Sequence, residues 1–494
     1  MSAAVLPAGT HLSLDPATRR TDAGTVLIGG APLRMLRLSA AGAEAVRRWE
    51  NGAAVAQAGP EQALARRLIE AGMAHPRFPA QPNPAVTLVV PVRDNPDGLG
   101  RLLGSLGPTG GRLIVVDDGS LEAARVASVA AEHGAEVLRR PVPGGPAAAR
   151  NTGWQAADTP LVGFVDSDCV ARPGWADPLL AWFADPTLAA VGPRVVSCAG
   201  RAPRWLADYE RARGSLDRGP VGSLVRPRGR VPFLPAAALV VRRAALEELG
   251  GFDESMPVGE DVDLVWRAVE AGWTVRYDPE VTVGHEVRPS LRSWLAQRFR
   301  YGSSAASLDR RHPRATAPVA VSAWTALAWA MAALGWPVGG ASVAAATTVA
   351  LGGRLGGLEH PWTEAARLAG VGHLRGGALI ADGLRRSWWP GLALAMTRSR
   401  RARRIAAATL VPLVLEWANG DRRADPWSWM GLRVADDLAY GAGVWFGALG
   451  QARWGPLVPD LSNWPGKRPP VEAATGDTDP GGSADRISTA RPTG

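Results

Sequence analysis

At 494 residues the chain exceeds what a single hydrophobic core supports, so two or three domains are expected. Its formal net charge of +9, carried by arginine with Lys467 as the only lysine, is compatible with nucleic acid, an anionic membrane surface or a polyanionic small substrate. Two cysteines, Cys169 and Cys198, exclude a disulfide framework and offer no metal-ligand spacing, which fits a reduced, cytosolic setting.

The first segment, MSAAVLPAGTHLSLDP, has neither a basic leader nor a sustained apolar run, so no secretory signal is expected. Residues 1–80 form a first unit. TVLIGG (25–30) reads as a strand and turn, and Ser39 can cap a helix running to about Trp49. A second helix carries Leu64, Leu68 and Ile69 on one face and ends near Gly72. Short strands with two or three helices suit a winged-helix-like module. No basic recognition helix stands out, so peptide or acceptor recognition, or scaffolding, is expected rather than nucleic-acid binding.

The proline-rich link HPRFPAQPNPA (75–85) marks a boundary. From Val86 to His312 short apolar runs alternate with helices: VTLVVPV, a helix over 98–106, LIVV (113–116), a helix over 121–133, EVL (136–138), a helix from Pro146, then LVGFV (161–165). That alternation predicts an α/β layer with a mostly parallel sheet, whose ligands gather at the carboxyl ends of strands. Two of these runs end in acid, at Asp117-Asp118 and at Asp166-Ser167-Asp168.

Alternation along a strand puts Asp166 and Asp168 on one face, where they can share a hard cation, Mg²⁺ or Mn²⁺, with substrate phosphates. Aspartate after a strand is also ordinary turn chemistry. In GEDVDLVW (259–266), Val262, Val265, Trp266 and Val269 give a helix beginning near Glu260. Glu260 and Asp261 then sit at its N-terminus, either as dipole-complementing acids or as a general base. His285 closes a short strand-like run and could add a nitrogen ligand. Arg150 and Asn151 open a helix after Gly144-Gly145-Pro146, where an arginine can meet a phosphate. Gln297-Arg298-Phe299-Arg300-Tyr301 reads as an amphipathic helix or a diphosphate clamp.

Residues 313–468 read as a helical, Ala-rich region. Ala315 to Gly353 has no charged side chain and breaks at Gly335-Trp336-Pro337. Each half approaches the ~20 apolar residues of a bilayer crossing. A further apolar run, Ile405 to Trp417, follows RSRRARR (398–404), a cluster suited to an anionic cytoplasmic membrane face. The reading is integral or peripheral contact with that face, or else a soluble, cytoplasmic helical domain. The tail, 469–494, is polar and expected to be disordered.

Taken in order, PVRDNP (91–96), VVDDGS (115–120), GPAAARNTG (145–153), FVDSD (164–168), GGFDE (250–254), GEDVDLVWR (259–267) and QRFRYG (297–302) form a series. It resembles the family 2 inverting glycosyltransferases of the GT-A fold over roughly residues 86–302. LIGGAPLRMLRLS (27–39), AGMAHP (71–76), PVRDNPDGL and the apolar C-terminal part are similar to the mycofactocin-system branch of that family. The resemblance implies transfer of β-linked glucose from UDP-glucose to a peptide-derived redox cofactor or its precursor. It implies uridine binding by Asp117 and Asp118, framed by Asp94 and Arg150, and a metal held by Asp166 and Asp168, with His285 completing the shell. It implies Asp261 as catalytic base with Glu260 beside it. Gln297, Arg300 and Tyr301 match a Q-x-x-R-W motif for acceptor or diphosphate, with tyrosine where tryptophan is usual. The rival readings are a nucleotidyltransferase, a non-catalytic peptide-binding scaffold, and a transferase acting on a cell-envelope lipid or polysaccharide.

Overall fold

The computed structural model describes residues 5–79, 82–107, 111–420 and 424–461; the expected disordered tail lies outside the described residues. In the N-terminal unit, β1 (His11–Leu14) pairs antiparallel with β5 (Ala74–Arg77), and β2 (Arg19–Thr21), β3 (Val26–Gly29) and β4 (Arg34–Arg37) form an antiparallel meander. Helix α1 (Ala40–Glu50) starts where Ser39 accepts a hydrogen bond from the Gly42 N–H, and α2 (Pro60–Glu70) begins with proline, whose missing N–H costs nothing there. Leu27, Leu36, Val46, Trp49, Leu68 and Ile69 fill the core between them. The unit is α+β, as expected.

It is tied to the rest by ion pairs, one of them buried. Arg66 meets Asp185 at 2.7 Å with both side chains buried, Arg230 meets Asp15 at 2.8 Å, and Arg19 pairs with Glu364. Val26 and Ile28 of β3 pack on Leu355 and Leu358, in the connection between two C-terminal helices, and on Ala365 of the second.

The next layer contains β6 (Val86–Val92), α3 (Pro96–Leu106), β7 (Leu113–Asp118), α4 (Ala123–Glu132), β8 (Glu136–Arg140), α5 (Gly145–Ala156) and β9 (Leu161–Val165). Then come β10 (Cys169–Val170), α6 (Asp177–Leu180), β11 (Leu188–Cys198), α7 (Arg204–Arg213), β12 (Ser223–Leu224), β13 (Ala238–Arg242), α8 (Arg243–Leu249), α9 (Glu260–Glu270) and β14 (Thr274–Glu286). The strands make one sheet in the order β10-β14-β11-β13-β9-β6-β7-β8, with β12 on β14. Strands β9, β6, β7 and β8 are parallel, as are β11 and β14, while β13 runs antiparallel between the two sets. This is a mixed, mostly parallel layer. Alternation decides its two cores: Val89, Ile114, Val116 and Phe164 face one side, and Leu88, Val90, Val115 and Val165 the other.

Helix α10 (Leu291–Arg311) leaves this layer and lies along α17 (Pro426–Gly450). The approach is close because glycine lines it; a Cβ at Gly302 would collide with the Tyr440 carbonyl oxygen. Between them in sequence lie α11 (Ala323–Ala333), α12 (Pro337–Arg354), α13 (Pro361–Arg386), α14 (Trp389–Arg398), α15 (Arg400–Ala408) and α16 (Val411–Asn419).

The candidate membrane spans are corrected here. No helix among the described residues is long and apolar enough to cross a membrane. The break at Gly335 separates α11 from α12, and 11 residues reach only about 16 Å at 1.5 Å per residue. Alanine, glycine and threonine keep α12 weakly apolar. The run from Ile405 to Trp417 is split between α15 and α16.

Candidate active site

Two cavities meet at the carboxyl ends of the central strands. One, of about 510 Å³, is lined by Asp94, Asp118 and Arg101; the other, of about 700 Å³, by Asp261, Tyr301 and residues of α13 and α17. Pro146, Arg150, Asp166, Asp168 and Arg288 line both. No described residue of the N-terminal unit lines either cavity.

The first cavity takes its shape from β7. Its register sets Asp117 opposite Arg139 and Asp118 opposite Arg140. Asp118 is buried, accepts from Arg140 Nε at 3.0 Å, and accepts from the Gly144 and Gly145 N–H groups at 2.9 and 2.7 Å. It thereby fixes the turn into α5. Asp117 is spent on Arg139 and on the Ser120 N–H (2.9 Å) and lines neither cavity, so only one of this pair reaches the space expected for uridine. Asp94, held at φ 50°, accepts from the Leu121 N–H at 2.8 Å while its own N–H donates to Ser120 Oγ.

Arg150 is the buried centre of the site. One Nη donates to Glu260 Oε1 and the other to Asp166 Oδ1, each at 2.7 Å, above the Phe252 ring. Burial opposes its charge, yet the carboxylates of Asp166, Glu260 and Asp261 hold its pKa well above the ordinary guanidinium value. Arg150, expected to meet a phosphate, here bridges Asp166 after β9 and Glu260 at the start of α9.

Asp261 accepts from the Ala236 N–H at 3.1 Å and from the Val262 N–H at 2.8 Å. Burial raises its pKa against the pull of Arg150 and these N–H groups. Glu260 is raised too, first by burial and then by the charge of Asp261, with Arg150 opposing. A carboxylate held above its usual range and opening onto a cavity has the properties of a general base.

Asp168 lies 3.4 Å from His285 Nε2 and 3.2 Å from Arg288 Nη2. The antiparallel pairing of β10 with β14 sets His285 opposite Cys169 and so beside Asp168. Among the described residues no three acidic, histidine or cysteine side chains converge as a metal group. The donors that fit a hard cation are thus Asp168 and His285, with Asp166 turned to Arg150. Such a site leaves most of the coordination sphere to ligand oxygens, the common state of Mg²⁺ and Mn²⁺ beside phosphates.

Gln297 and Tyr301 are brought to the larger cavity, and Arg300 reaches it from an exposed position. With its amide oxygen oriented by the network, Gln297 accepts from the Tyr301 hydroxyl at 3.0 Å and from Arg288 Nε at 3.1 Å. Burial pushes the Tyr301 hydroxyl up to about 12. Arg298, by contrast, is structural, sealed against Glu210 and, at 3.1 Å, Asp436. Arg288, absent from the sequence reading, joins Asp168 to Gln297; its only signal was its position three residues after His285 in GHEVRP.

The pattern of the Glycosyltransferase like family 2 family matches residues 82–304. A "Pre-mycofactocin glycosyltransferase" of Mycobacterium tuberculosis is 40% identical over 479 residues, covering 93% of this chain and 100% of that protein. The chain belongs to the pre-mycofactocin branch of the family 2 glycosyltransferases. An uncharacterized glycosyltransferase of Mycobacterium bovis is 34% identical over 46% of this chain and 95% of its own length. Among solved structures, a Pyrobaculum calidifontis mannosyltransferase in complex with GDP-Man and Mn²⁺ aligns with 75% of this chain and 90% of its own, at 17% identity and a TM-score of 0.43. For a glycosyltransferase the carboxylates described above fall where strand ends and a helix N-terminus converge.

Proposed function

We propose that the enzyme is a metal-dependent inverting hexosyltransferase that moves glucose, in β linkage, from UDP-glucose to the peptide-derived cofactor mycofactocin or its precursor. The carrying observation is that Asp168 and Asp261 line one cavity, which meets the cavity of Asp94 and Asp118 at Asp166, Asp168 and Arg150. The full-length likeness to the mycobacterial protein supports the acceptor.

In this reading Asp94 and Asp118 frame the nucleotide, and Asp168 and His285 would hold Mg²⁺ or Mn²⁺. When bound, the cation supplies positive charge against that developing on the leaving diphosphate. The acceptor hydroxyl attacks the anomeric carbon from the opposite face. The new C–O bond forms as the bond to the phosphate oxygen breaks, UDP departs with the electron pair, and the proton passes to Asp261. Arg150 keeps Asp166 and Glu260 engaged, which leaves Asp261, gripped by backbone N–H groups, as the base.

The test is incubation of the purified enzyme and acceptor with a panel of sugar nucleotides, with and without EDTA. EDTA-sensitive UDP release from UDP-glucose, with a β-linked product, is the expected result. Release of pyrophosphate, or turnover indifferent to EDTA, overturns the reading.

We also place the enzyme peripherally at the cytoplasmic membrane face. The arginines of α15 precede in sequence the exposed Val411, Val414 and Leu415 of α16, a composition suited to anionic lipid. Co-sedimentation with phosphatidylglycerol vesicles but not with phosphatidylcholine is expected; sedimentation with neither sinks this placement. Residues 1–80 we read as a winged-helix-like module recruiting the acceptor from outside the cavities. Deleting them should raise acceptor KM and spare kcat, whereas unchanged kinetics would leave them a bracing role alone.

A further inference from the structure

Outside the cleft, the C-terminal end of α10 carries a buried histidine. His312 caps that helix, and its ring meets Trp266 of α9 edge-on, with 5.2 Å between ring centroids. Its Nε2 lies 3.1 Å from Asp263 Oδ1 and its Nδ1 2.7 Å from Glu270 Oε1, both on α9. Each ring nitrogen thus faces a carboxylate oxygen. A neutral imidazole has one N–H and one lone pair and can serve only one of them, whereas the imidazolium donates to both.

The surrounding charges favour the same state. Asp263 is fully buried and also accepts from Arg267 Nε at 2.7 Å and from Arg311 Nη1 at 3.3 Å. Arg311 pairs in turn with Asp253, and Arg267 donates to the Leu249 and Gly251 carbonyls at 2.7 and 2.8 Å, so the cluster also holds α9 to the end of α8 and the loop after it. Asp309, one turn earlier on α10, is engaged by the Arg314 N–H and the Thr316 hydroxyl, and Arg310 is exposed. Asp253, Asp263 and Glu270 therefore meet the charges of Arg267 and Arg311, and protonated His312 supplies the third positive charge. Burial opposes that charge, but the hydrogen bonds to Asp263 and Glu270 raise the imidazole pKa above the ordinary histidine value.

Asp261 stands on the same helix two residues before Asp263, and Gln297 and Tyr301 of α10 line the cavity onto which it opens. Asp263 and His312 line neither cavity, so they act on the site only through the two helices. We propose that His312 is a positioning residue for sugar transfer: as an imidazolium it ties α9, with its base, to the end of α10, and its deprotonation loosens that tie and slows the chemical step without weakening substrate binding. This role rests on the transferase reading, in which Asp261 is the base. Because the folded-state pKa lies above the ordinary value, the tie is complete below that value and is lost as pH rises through the folded pKa. The alkaline limit of the enzyme is then set outside its cleft.

The experiment follows kcat and both KM values against pH in the full-length protein with UDP-glucose and pre-mycofactocin. In parallel, nitrogen-15 NMR of the histidine rings follows His312 itself, as the signal lost in His312→Gln and displaced in Glu270→Gln. In the unmodified enzyme kcat should fall on the alkaline side in step with deprotonation of that ring. His312→Gln can donate to one carboxylate but carries no charge; it should lower kcat about fivefold at neutral pH, erase that alkaline fall and leave both KM values within about twofold. Glu270→Gln, at an exposed position, should shift the ring titration and the alkaline fall to lower pH together, and it keeps the test usable should His312→Gln fail to fold. An alkaline fall unmoved by both substitutions, kcat unchanged in His312→Gln, or a His312 ring already neutral at neutral pH overturns the role. Absence of transfer by the unmodified enzyme would instead refute the transferase reading; the ring titration is read without turnover, so the two failures are distinct.

Discussion

The two halves of the cleft are built in different ways. On the sheet side, Asp94, Asp118, Asp166 and Asp168 stand at the ends of neighbouring strands of one sheet, and several of their partners come from the adjoining turns. On the far side, the wall is assembled from α10, α13, α17 and the loop carrying Arg218, brought together over long stretches of chain. Chemistry that depends on one β–α unit is set locally and recurs with its motif. Chemistry shared by distant helices depends on how those helices pack.

The largest expected contrast is between Asp261→Asn and Asp168→Ala. The first should lower transfer about 10³-fold, as for loss of a positioned general base, without weakening UDP binding. The second should abolish transfer and also the metal-dependent part of UDP binding, read by titration calorimetry with Mn²⁺. Turnover near that of the unmodified enzyme in either variant would remove that residue from its role.

Arg150→Met addresses the junction of the two halves. It leaves the Asp166 and Glu260 carboxylates without their buried partner, so stability should fall by about 3–5 kcal/mol in thermal melts. A melt unchanged from the parent would mean that the bridge is not formed in solution.

Gly302→Ala should act on one half only. Its methyl group would force α10 away from α17, costing about 1–3 kcal/mol and raising acceptor KM, with donor KM unaffected. Equal changes in both constants would erase the division between the halves.

The smallest effect is on the pH profile. Burial raises the folded-state pKa of Asp261, so the base becomes protonated, and activity is lost, as pH falls through a range higher than that of an ordinary carboxylate. The acid limb of kcat/KM should lie above that ordinary range. A limb at the usual carboxylate pKa in the parent enzyme would place the base elsewhere.

Much of the sheet side was readable beforehand. Hydrophobic runs ending in acid gave β7 and β9 and their aspartates, and the apolar spacing after Gly259 placed Glu260 and Asp261 at the start of α9. What was not readable was the side-chain partners. The turn of Asp117 toward Arg139 follows from the β7–β8 register, and the capture of Arg150 by two carboxylates follows from where α9 docks on α5. The expected spans failed because alanine and glycine make a segment uncharged without making it strongly apolar.

Residue order by itself determined the strands and helices of the α/β layer and the acids at their ends, because periodicity and turn chemistry act over a few neighbouring residues. Tertiary structure alone decided that Arg288 joins Asp168 to Gln297 and that α13 and α17 close the far side of the cavity. Those contacts depend on helix packing through Gly302, Gly443 and Gly447, where backbone approaches backbone, and no local pattern reports which distant segment will arrive there.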